Sequence, residues 1–269
     1  MSDITFPPAW APAQTFSDGR VGLDITDGVA ILAIQIPHKH NALDEPATAG
    51  MVEALKVAED AGARALIFTG IGGKAFISGA DLSGFEGPRP TGSDFVDRQK
   101  VLAACPVPTI AVIRGYCIGG GLMTAMNCDF RLASTDSTFG VPAAKLGISY
   151  GSEGLASLVE AIGPARTRRL LYVGDRVDAE TALAWGLVEH LHAPDALWPA
   201  AMALARTIAG NAPLSVRATK ETVADILKDP ADRDPDRIAE IGMTCRNSRD
   251  FREGRDAFRE KRVAQFEGR

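Results

Sequence analysis

Apolar residues in the first half of the chain follow two different spacings. The runs over residues 21–27 and 29–36 predict two strands, and Asp27-Gly28 between them predicts a tight hairpin turn. Apolar positions at helical spacing over residues 46–61 predict a helix, and the run over residues 63–69 predicts another buried strand. This succession of strand, helix and strand predicts a layered α/β domain.

The most informative stretch covers residues 109–129, TIAVIRGYCIGGGLMTAMNCD. Its first apolar residues predict a strand buried on both faces, a turn follows at Gly115, and the three glycines 119–121 precede an apolar helical run. A helix that starts directly after a glycine turn directs backbone N–H groups outward, where they can hold negative charge. The missing side chains allow a ligand to approach the backbone closely.

Residues 70–84 are predicted to form a loop, and residues 95–104 a helix that Pro106 ends. The segment 85–94, FEGPRPTGSD, is rich in proline and glycine. After residue 154 strand patterns almost vanish, apart from a short strand at 187–191, and helices dominate. Their predicted boundaries are Gly163-Pro164, an N-cap at Asp178, a C-terminal glycine at Gly186, and a break at 211–213.

These patterns divide the chain into a lead-in at residues 1–20, an α/β core at 21–195 and a helical region at 196–269. The last segment, residues 246–269, carries eight Lys or Arg against five Asp or Glu. Two interpretations of this segment stay open. It is either a solvated helix with ion pairs between successive turns, or a basic patch that contacts an anionic ligand or a partner subunit.

Composition excludes several functional classes. The chain has 269 residues, of which 46% are hydrophobic and 23% charged, which is enough for one full core. A net charge of -5 argues against a nucleic-acid partner, and no apolar run reaches the roughly 18 residues of a membrane span. The N-terminus lacks the features of a signal peptide, and the four cysteines form no C-x-x-C pair. Reduced thiols and a cytoplasmic location are therefore expected.

Several motifs give weak signals. The glycines at 115–121 lack dinucleotide-binding spacing, Gly73-Lys74 lacks the rest of a P-loop, and the histidines form H-x-H pairs that do not indicate a metal site. One pattern is harder to dismiss. Residues 147–151, GISYG, match the G-x-S-x-G nucleophile elbow around Ser149, with Asp178 and His190 in the chain order of a hydrolase.

A more specific pattern is a pair of turns. The two turns are ISGADL at 77–82 and CIGGG at 117–121. Each consists largely of small residues and follows a short apolar run. Two such turns on neighbouring strands can aim two backbone N–H groups at one oxygen, as an oxyanion hole does. A thioester that reacts through an enolate needs this arrangement, because its oxygen becomes negatively charged. Two purely structural glycine turns remain the alternative.

From about residue 22 to the end, the chain resembles the crotonase superfamily, the enoyl-CoA hydratase/isomerase family. The resemblance implies an α/β fold with a spiral core of ββα turns, two nearly perpendicular sheets, and a C-terminal helical region that forms homotrimers or dimers of trimers. The matching segments are KHNALD, FISGADL, PVPTIAVIRGYCIGGGL, NCDFRLAS, TFGVPAAKLGI, RRLLYVGDRVDAETALAWGLVEHL, APLSVRATKE and SRDFREGRDAFREKR.

The resemblance also implies a ligand. An acyl-CoA thioester would place its carbonyl oxygen against the N–H groups of Ala80 and Gly120, and no tightly bound cofactor beyond coenzyme A itself is expected. The adenine and ribose would bind near Lys39 to Ala42 and Ala75 to Ile77, with Lys261 reaching over from a neighbouring subunit. Segment 85–94 would border the acyl pocket. The other expected substrate contacts are Gly79, Asp81, Tyr116, Gly119, Met123, Ala143 and Tyr150.

Two departures from the family pattern affect the expected chemistry. Met123 and Ala143 occupy the positions where hydratases of the family carry glutamates, and neither side chain can transfer a proton. Glu153 is the best displaced acid/base candidate, although an acid in a first helical turn can serve only to cap the helix. Three functions follow as hypotheses: an atypical enolate-forming lyase or isomerase, a non-catalytic acyl-CoA binder, or a hydrolase that uses Ser149.

Overall fold

The computed structural model describes residue 7, residues 10–81 and residues 101–269, except for the side chain of Glu153. Residues 101–104 are helical and end the helix predicted over 95–104, whose other residues lie outside this description, as does segment 85–94. The strands are β1 (Gln14–Phe16), β2 (Val21–Thr26), β3 (Val29–Ile34), β4 (Ala65–Gly70), β5 (Ala75–Ile77), β6 (Thr109–Ile113), β7 (Tyr116–Ile118), β8 (Phe130–Ser134), β9 (Thr138–Gly140), β10 (Val177–Asp178) and β11 (His190–His192).

The helices are mostly short and many begin at a recognisable cap. Asp44 caps the first helix, since its carboxylate accepts a hydrogen bond from the Ala47 N–H at 2.8 Å. The α-helices are α1 (Glu45–Asp60), α2 (Gly120–Met126), α3 (Ala143–Leu146), α4 (Ser152–Val173), α5 (Ala179–Trp185), α6 (Leu197–Gly210), α7 (Pro213–Ile226), α8 (Pro235–Asn247) and α9 (Arg249–Glu260).

A large sheet with strand order β1-β2-β3-β4-β6-β8-β11 forms the centre of the fold. The predicted hairpin is confirmed, because β2 and β3 pair antiparallel across Asp27-Gly28. From β3 onward neighbouring strands are parallel. Along β4, Leu66 and Phe68 face the cluster that includes α1, whereas Ile67 faces the cluster that includes α6. Burial on both faces explains the continuous apolar runs of these strands.

A smaller sheet with strand order β10-β9-β7-β5 carries the turns of interest. Strands β5, β7 and β9 are parallel, and Phe76, Cys117 and Phe139 point from them into the main core. The prediction that residues 70–84 form only a loop is wrong, since β5 lies within this stretch. The lead-in likewise contains β1. Strands of three residues are too short to show a period of two, so their formation depends on tertiary pairing.

The mixed α/β class and the helical C-terminal region are confirmed. Gly163 has a non-helical φ of 77° and divides α4, Asp178 accepts from the Thr181 N–H at 2.8 Å, and Gly186 ends α5 in the left-handed region. The short strand predicted at 187–191 lies slightly later, at β11. Within the described chain, no helix is both long and apolar enough to cross a membrane. The division at residues 20 and 195 stays a prediction.

Ion pairs occupy much of the basic C-terminal segment. Arg259 pairs with Asp256 at 3.0 Å, and Arg262 pairs with Glu253 at 2.6 Å. The hydrogen bonds from Arg262 and from the Gln265 N–H lower the pKa of Glu253 to about 2. The interpretation as a solvated helix with ion pairs between successive turns is therefore confirmed for Arg259 and Asp256, whereas Arg262 lies beyond the end of α9 and pairs back to a residue nine positions earlier. A contact of this segment with an anionic ligand or a partner subunit stays a prediction.

We expect Gly115→Ala to destabilise the protein more than Gly62→Ala. Both glycines have positive φ (71° and 73°), so an alanine at either position costs about 1–2 kcal/mol of backbone strain. A Cβ on Gly115 would also lie 2.1 Å from the carbonyl oxygen of Lys74, whereas Gly62 has open space around it. The free energy of unfolding from denaturant titration should fall by a further roughly 1–3 kcal/mol in Gly115→Ala. Equal losses would contradict the close packing of β5 on the β6–β7 turn.

Candidate active site

The two glycine turns leave neighbouring parallel strands at the same edge. In the β5–β7 pair, Ala75 lies opposite Tyr116 and Ile77 opposite Cys117, so the turns that follow both strands lie side by side. Contact between them is close, because a Cβ on Gly121 would lie 2.1 Å from the carbonyl oxygen of Ile77. The absence of a side chain at position 121 therefore allows the first turn of α2 to pack against the end of β5.

Ala80 pairs with Leu43 in an isolated parallel bridge. Leu43 donates to the Gly79 carbonyl and accepts from the Asp81 N–H, both at 2.8 Å. Successive N–H groups of an extended segment point to opposite sides, so the Ala80 N–H points away from Leu43. In the described part of the chain, no hydrogen bond uses this N–H. Gly79 has a φ of 121°, a value that favours glycine, and this conformation sets the direction of the Ala80 amide.

Gly119 and Gly120 form the second turn. Gly119 adopts φ 57° and ψ −120°, a combination that requires glycine, and its N–H donates to the Gly140 carbonyl at 2.8 Å. Gly120 is the first residue of α2, where N–H groups point outward along the helix axis. A Cβ on Gly119 would lie 3.5 Å from the hydroxyl oxygen of Tyr150, which places this half-buried tyrosine beside the turn.

A third segment, residues 37–43, packs against the end of β5. After a short 3-10 helix (Pro37–Lys39), His40 and Asn41 have left-handed φ values of 53° and 56°. The His40 carbonyl accepts from the Ser78 N–H at 3.2 Å, and Lys39 forms an ion pair with Asp81 at 2.6 Å. The fold thus brings together the two predicted clusters around Lys39 to Ala42 and Ala75 to Asp81.

Asn41 holds this segment in place, a structural role that the sequence analysis did not predict. Its fully buried side chain accepts from the Ile36 N–H at 3.0 Å and donates to the carbonyls of Ile71 and Ala75 at 2.9 and 2.8 Å. Asparagine tolerates left-handed φ, and its short amide bonds nearby backbone groups. The asparagine in KHNALD was therefore a visible signal for a turn, but only the fold shows which carbonyl groups its side-chain amide reaches.

Tyr116 belongs to a small exposed stack. The guanidinium of Arg176 lies 4.8 Å from the centre of the Tyr116 ring, and His40 approaches the same ring edge-on with centroids 6.3 Å apart. A guanidinium over an aromatic face is held by the ring quadrupole. No sequence motif pointed to Arg176, because this residue comes from a different part of the chain.

Met123 and Ala143, the two residues expected to depart from the family pattern, are buried in apolar surroundings. Met123, one turn into α2, is 5% exposed, and Ala143, the first residue of α3, is 6% exposed. Both belong to the main hydrophobic cluster. Glu153 is the second residue of α4, whose N-cap is Gly151 without a side-chain capping bond. For Glu153, the predicted acid/base, the structure describes only the backbone position.

Lys261 lies at the C-cap of α9 with a φ of 55°, and it is exposed. Among the described residues, no hydrogen bond or ion pair joins it to the turns at Ala80 and Gly120. Its expected role was to reach the ligand of a neighbouring subunit. That role stays a prediction.

The strand that should precede a nucleophile elbow is not found before Ser149, whereas the hydrolase function itself stays a prediction. Such a serine follows a buried strand, whereas Ser149 is exposed and follows the one-turn helix α3. The supposed partners belong to different sheets. Asp178 ends β10 in the small sheet and caps α5, while His190 begins β11 at an edge of the large sheet.

The three buried cysteines do not provide an alternative nucleophile. Cys105, Cys117, Cys128 and Cys245 are all free, and the first three are buried. Burial raises the pKa of Cys105 and Cys117, and it raises the pKa of Cys128 to about 12, so these thiols stay neutral near pH 7. Over the described ranges, no group of three His, Cys, Asp or Glu side chains could hold a metal ion.

Comparison with known proteins identifies the family. A family model described as Enoyl-CoA hydratase/isomerase matches residues 24–269. The chain belongs to the enoyl-CoA hydratase/isomerase family. It is 36% identical to (E)-benzylidenesuccinyl-CoA hydratase of Thauera aromatica, covering 92% of this chain and 99% of that protein. Identity to crotonyl-CoA hydratase of Syntrophomonas wolfei is 32%, with 91% and 96% covered.

Solved structures agree with this assignment to the enoyl-CoA hydratase/isomerase family. An enoyl-CoA hydratase/carnithine racemase from Magnetospirillum magneticum superposes with a TM-score of 0.86 at 32% identity, covering 93% of this chain and 96% of that one. The similarities in sequence and in structure therefore establish both the family membership and the α/β fold. The roles of individual site residues rest on the geometry described above.

We expect Asn41→Ala to loosen the segment that packs on β5. Three buried backbone groups would lose their partners, so the free energy of unfolding should fall by roughly 2–3 kcal/mol. Amide hydrogen exchange at Leu43 and Asp81 should accelerate, because these amides pair this segment with residues 79–81. The exposed Asn211, which lies between α6 and α7, provides the control, and Asn211→Ala should change stability by less than about 0.5 kcal/mol. Unchanged exchange in Asn41→Ala would contradict this role.

Proposed function

We propose that the protein binds an acyl-CoA thioester and stabilises the enolate formed from it through the N–H groups of Ala80 and Gly120. The observation that carries the proposal is the parallel β5–β7 pair, which puts both turns at one sheet edge. Two preorganised donors aimed at one oxygen stabilise negative charge without reorganisation. Removing one donor of such a site costs roughly 3 kcal/mol of transition-state stabilisation.

The coenzyme A portion of the substrate would lie along the adjoining segment. The expected coenzyme A contacts lie together beside Gly79 and Asp81. They are Lys39, Ala42, Ala75 and Ile77. Because Gly79 and Asp81 flank Ala80, these contacts adjoin the Ala80 amide directly. Two relatives are named as hydratases of benzylidenesuccinyl-CoA and crotonyl-CoA. Their names support a CoA thioester as the substrate class. We further propose a cytoplasmic homotrimer or dimer of trimers, in which Lys261 contacts the ligand of a neighbouring subunit.

The reaction is an atypical lyase or isomerase reaction, with inefficient hydration of simple enoyl-CoAs. Hydration needs groups that orient water, remove its proton and deliver one to carbon. The buried side chains of Met123 and Ala143 offer no titratable group for these steps. An acid/base must therefore come from another position near the acyl group.

Glu153 is the proposed acid/base. It follows Tyr150 by three residues, and the Tyr150 hydroxyl lies beside Gly119, so the start of α4 adjoins the proposed oxyanion site. Tyr150 would act as a hydrogen-bond donor at the same place. A second candidate function is a non-catalytic acyl-CoA binder. The apolar burial of Met123 and Ala143 favours it, because a binder needs the two N–H groups but no proton transfer.

We expect Glu153→Gln to abolish turnover of the CoA thioester substrate, with a loss of roughly 100-fold to 10,000-fold in kcat. Glu180 provides a matched control, because it occupies the same second helical position in α5 and is exposed. Each variant should lose only a few tenths of a kcal/mol of stability through the helix dipole.

The comparison of the two variants separates the roles. A loss of activity in Glu153→Gln with full activity in Glu180→Gln supports catalysis. Equal small stability losses with unchanged activity in both would reduce Glu153 to a helix-capping residue. If calorimetry shows binding of acyl-CoA but no substrate is turned over by the unmodified protein, the non-catalytic binder is the correct alternative.

A second prediction concerns the missing glutamates. The unmodified protein should hydrate crotonyl-CoA slowly, and the double variant Met123→Glu/Ala143→Glu should hydrate it faster if it folds. Loss of the crotonyl-CoA double bond can be followed by ultraviolet absorbance, and circular dichroism checks folding of the variant. Fast hydration by the unmodified protein would overturn the argument from Met123 and Ala143, whatever the variant does.

A further inference from the structure

Arg176 lies in the loop between α4 and β10, and its side chain reaches across the outer face of the small sheet. Gly174 ends α4 with a φ of 63°, a left-handed value that favours glycine, and turns the chain toward this sheet. The loop then passes β9 closely, since a Cβ on Gly140 would lie 3.5 Å from the Cα of Arg176. In the next strand, Cys117 points into the main core, so Tyr116 points to the outer face and meets the guanidinium there.

Among the described residues, no carboxylate pairs with Arg176. The acidic residues beside it in the chain are used elsewhere, because Asp175 pairs with Lys145 at 3.7 Å and Asp178 caps α5. The ring of Tyr116, whose centre lies 4.8 Å from the guanidinium carbon, holds the side chain instead. A ring face attracts the positive charge but offers no lone pairs in the plane of the guanidinium, so its N–H donors stay available for an anion.

Tyr116 connects Arg176 with the surface proposed for coenzyme A. Along the β5–β7 pair, Tyr116 lies opposite Ala75, which is one of the expected coenzyme A contacts. His40, from the segment expected to bind adenine and ribose, approaches the same ring edge-on with centroids 6.3 Å apart. The side chains of Arg176, Tyr116 and His40 are all exposed. They therefore form a continuous, accessible row that begins at the expected nucleotide surface and ends at a guanidinium.

The charge of Lys39 on this surface is already compensated. Its ammonium pairs with the carboxylate of Asp81 at 2.6 Å, so an incoming anion must compete with that carboxylate. Arg176 imposes no such competition, because its neighbours in the row are aromatic rings. Of these two cations, Arg176 therefore offers the more accessible positive charge to a ligand that lies along residues 39–42.

We propose that Arg176 binds a phosphate group of the coenzyme A nucleotide and thereby favours a CoA thioester over a pantetheine thioester that lacks the nucleotide. The proposal rests on the proposed function, since it takes the nucleotide to lie along residues 39–42. A guanidinium suits this task, because its planar fork matches two oxygens of one phosphate. Coenzyme A carries phosphate in two places, a pyrophosphate and a 3′-phosphate on the ribose, and the choice of ligand separates the two.

Calorimetry with three butyryl thioesters tests the proposal without requiring turnover. Butyryl-CoA carries both kinds of phosphate, 3′-dephospho-butyryl-CoA carries only the pyrophosphate, and butyryl-pantetheine carries neither. Arg176→Gln should weaken butyryl-CoA binding about tenfold, the low end for a hydrogen bond to a charged group because the site is exposed. The same variant should change butyryl-pantetheine binding by less than about twofold. An unchanged affinity for butyryl-CoA, or an equal loss with butyryl-pantetheine, would overturn the proposal.

The dephosphorylated ligand identifies the phosphate that Arg176 contacts. If Arg176→Gln also weakens 3′-dephospho-butyryl-CoA, the contact is with the pyrophosphate, and if it does not, the contact is with the 3′-phosphate. Arg176→Lys should fall between Arg176→Gln and the unmodified protein, because lysine keeps the charge but loses the fork. Added salt should narrow the difference between the unmodified protein and Arg176→Gln, because salt screens exposed charges.

Arg206→Gln is the matched control. Arg206 is also exposed and has no carboxylate partner among the residues that the structure describes. It lies on α6, which covers the face of the large sheet that is turned away from the small sheet. Arg206→Gln removes the same charge and should leave all three affinities within about twofold. Both variants replace exposed side chains, so both proteins should fold.

The outcomes distinguish this proposal from the proposed function. If the unmodified protein binds none of the three thioesters, the proposed function itself fails and this proposal fails with it. If the unmodified protein binds butyryl-CoA and Arg176→Gln binds it equally well, the thioester site stands and only the role of Arg176 is overturned. If Arg206→Gln weakens butyryl-CoA as much as Arg176→Gln does, the overall charge and not a local contact attracts the nucleotide, and the proposal is overturned.

Discussion

The parallel pairing of β5 with β7 is the constraint on which the site depends. These strands have only three residues each, and two glycines allow their close approach to the neighbouring backbone. Gly115 lies against the Lys74 carbonyl before the strands begin, and Gly121 lies against the Ile77 carbonyl after they end. A side chain at either position would separate the two chain segments. This contact determines the positions of the Ala80 and Gly120 amides, because the turn that carries each amide begins at the end of one of these two paired strands.

Two neighbouring parts of the fold pack beside this edge. On one side, the buried amide of Asn41 fixes residues 37–43 against β5, so that Lys39 and Asp81 form an ion pair close to the Ala80 amide. On the other side, α2 and α4 pack against each other and lead away from the turn.

The interior around the turn limits the available chemistry. Met123 and Ala143 are almost fully buried in the main apolar cluster, where an unpaired carboxylate would be costly. Apolar residues at these two positions avoid that cost and provide no group that can transfer a proton. Negative charge on a thioester oxygen could still be stabilised by the backbone amides. The same scaffold is therefore compatible with an acid placed on α4 or with binding alone.

The sequence by itself determined the α/β class, the hairpin at Asp27-Gly28, most helix boundaries and the two small-residue turns, because these depend on local periodicity, caps and glycine conformation. It also determined that Met123 and Ala143 cannot move protons. Only the tertiary structure decided that β5 exists, that it pairs with β7, and that Asn41 and Arg176 lie next to predicted site residues. Three-residue strands carry no periodic signal, and such contacts join residues far apart in the chain. The tertiary structure also decided that a helix, and not a strand, precedes Ser149, which the matching motif by itself does not reveal.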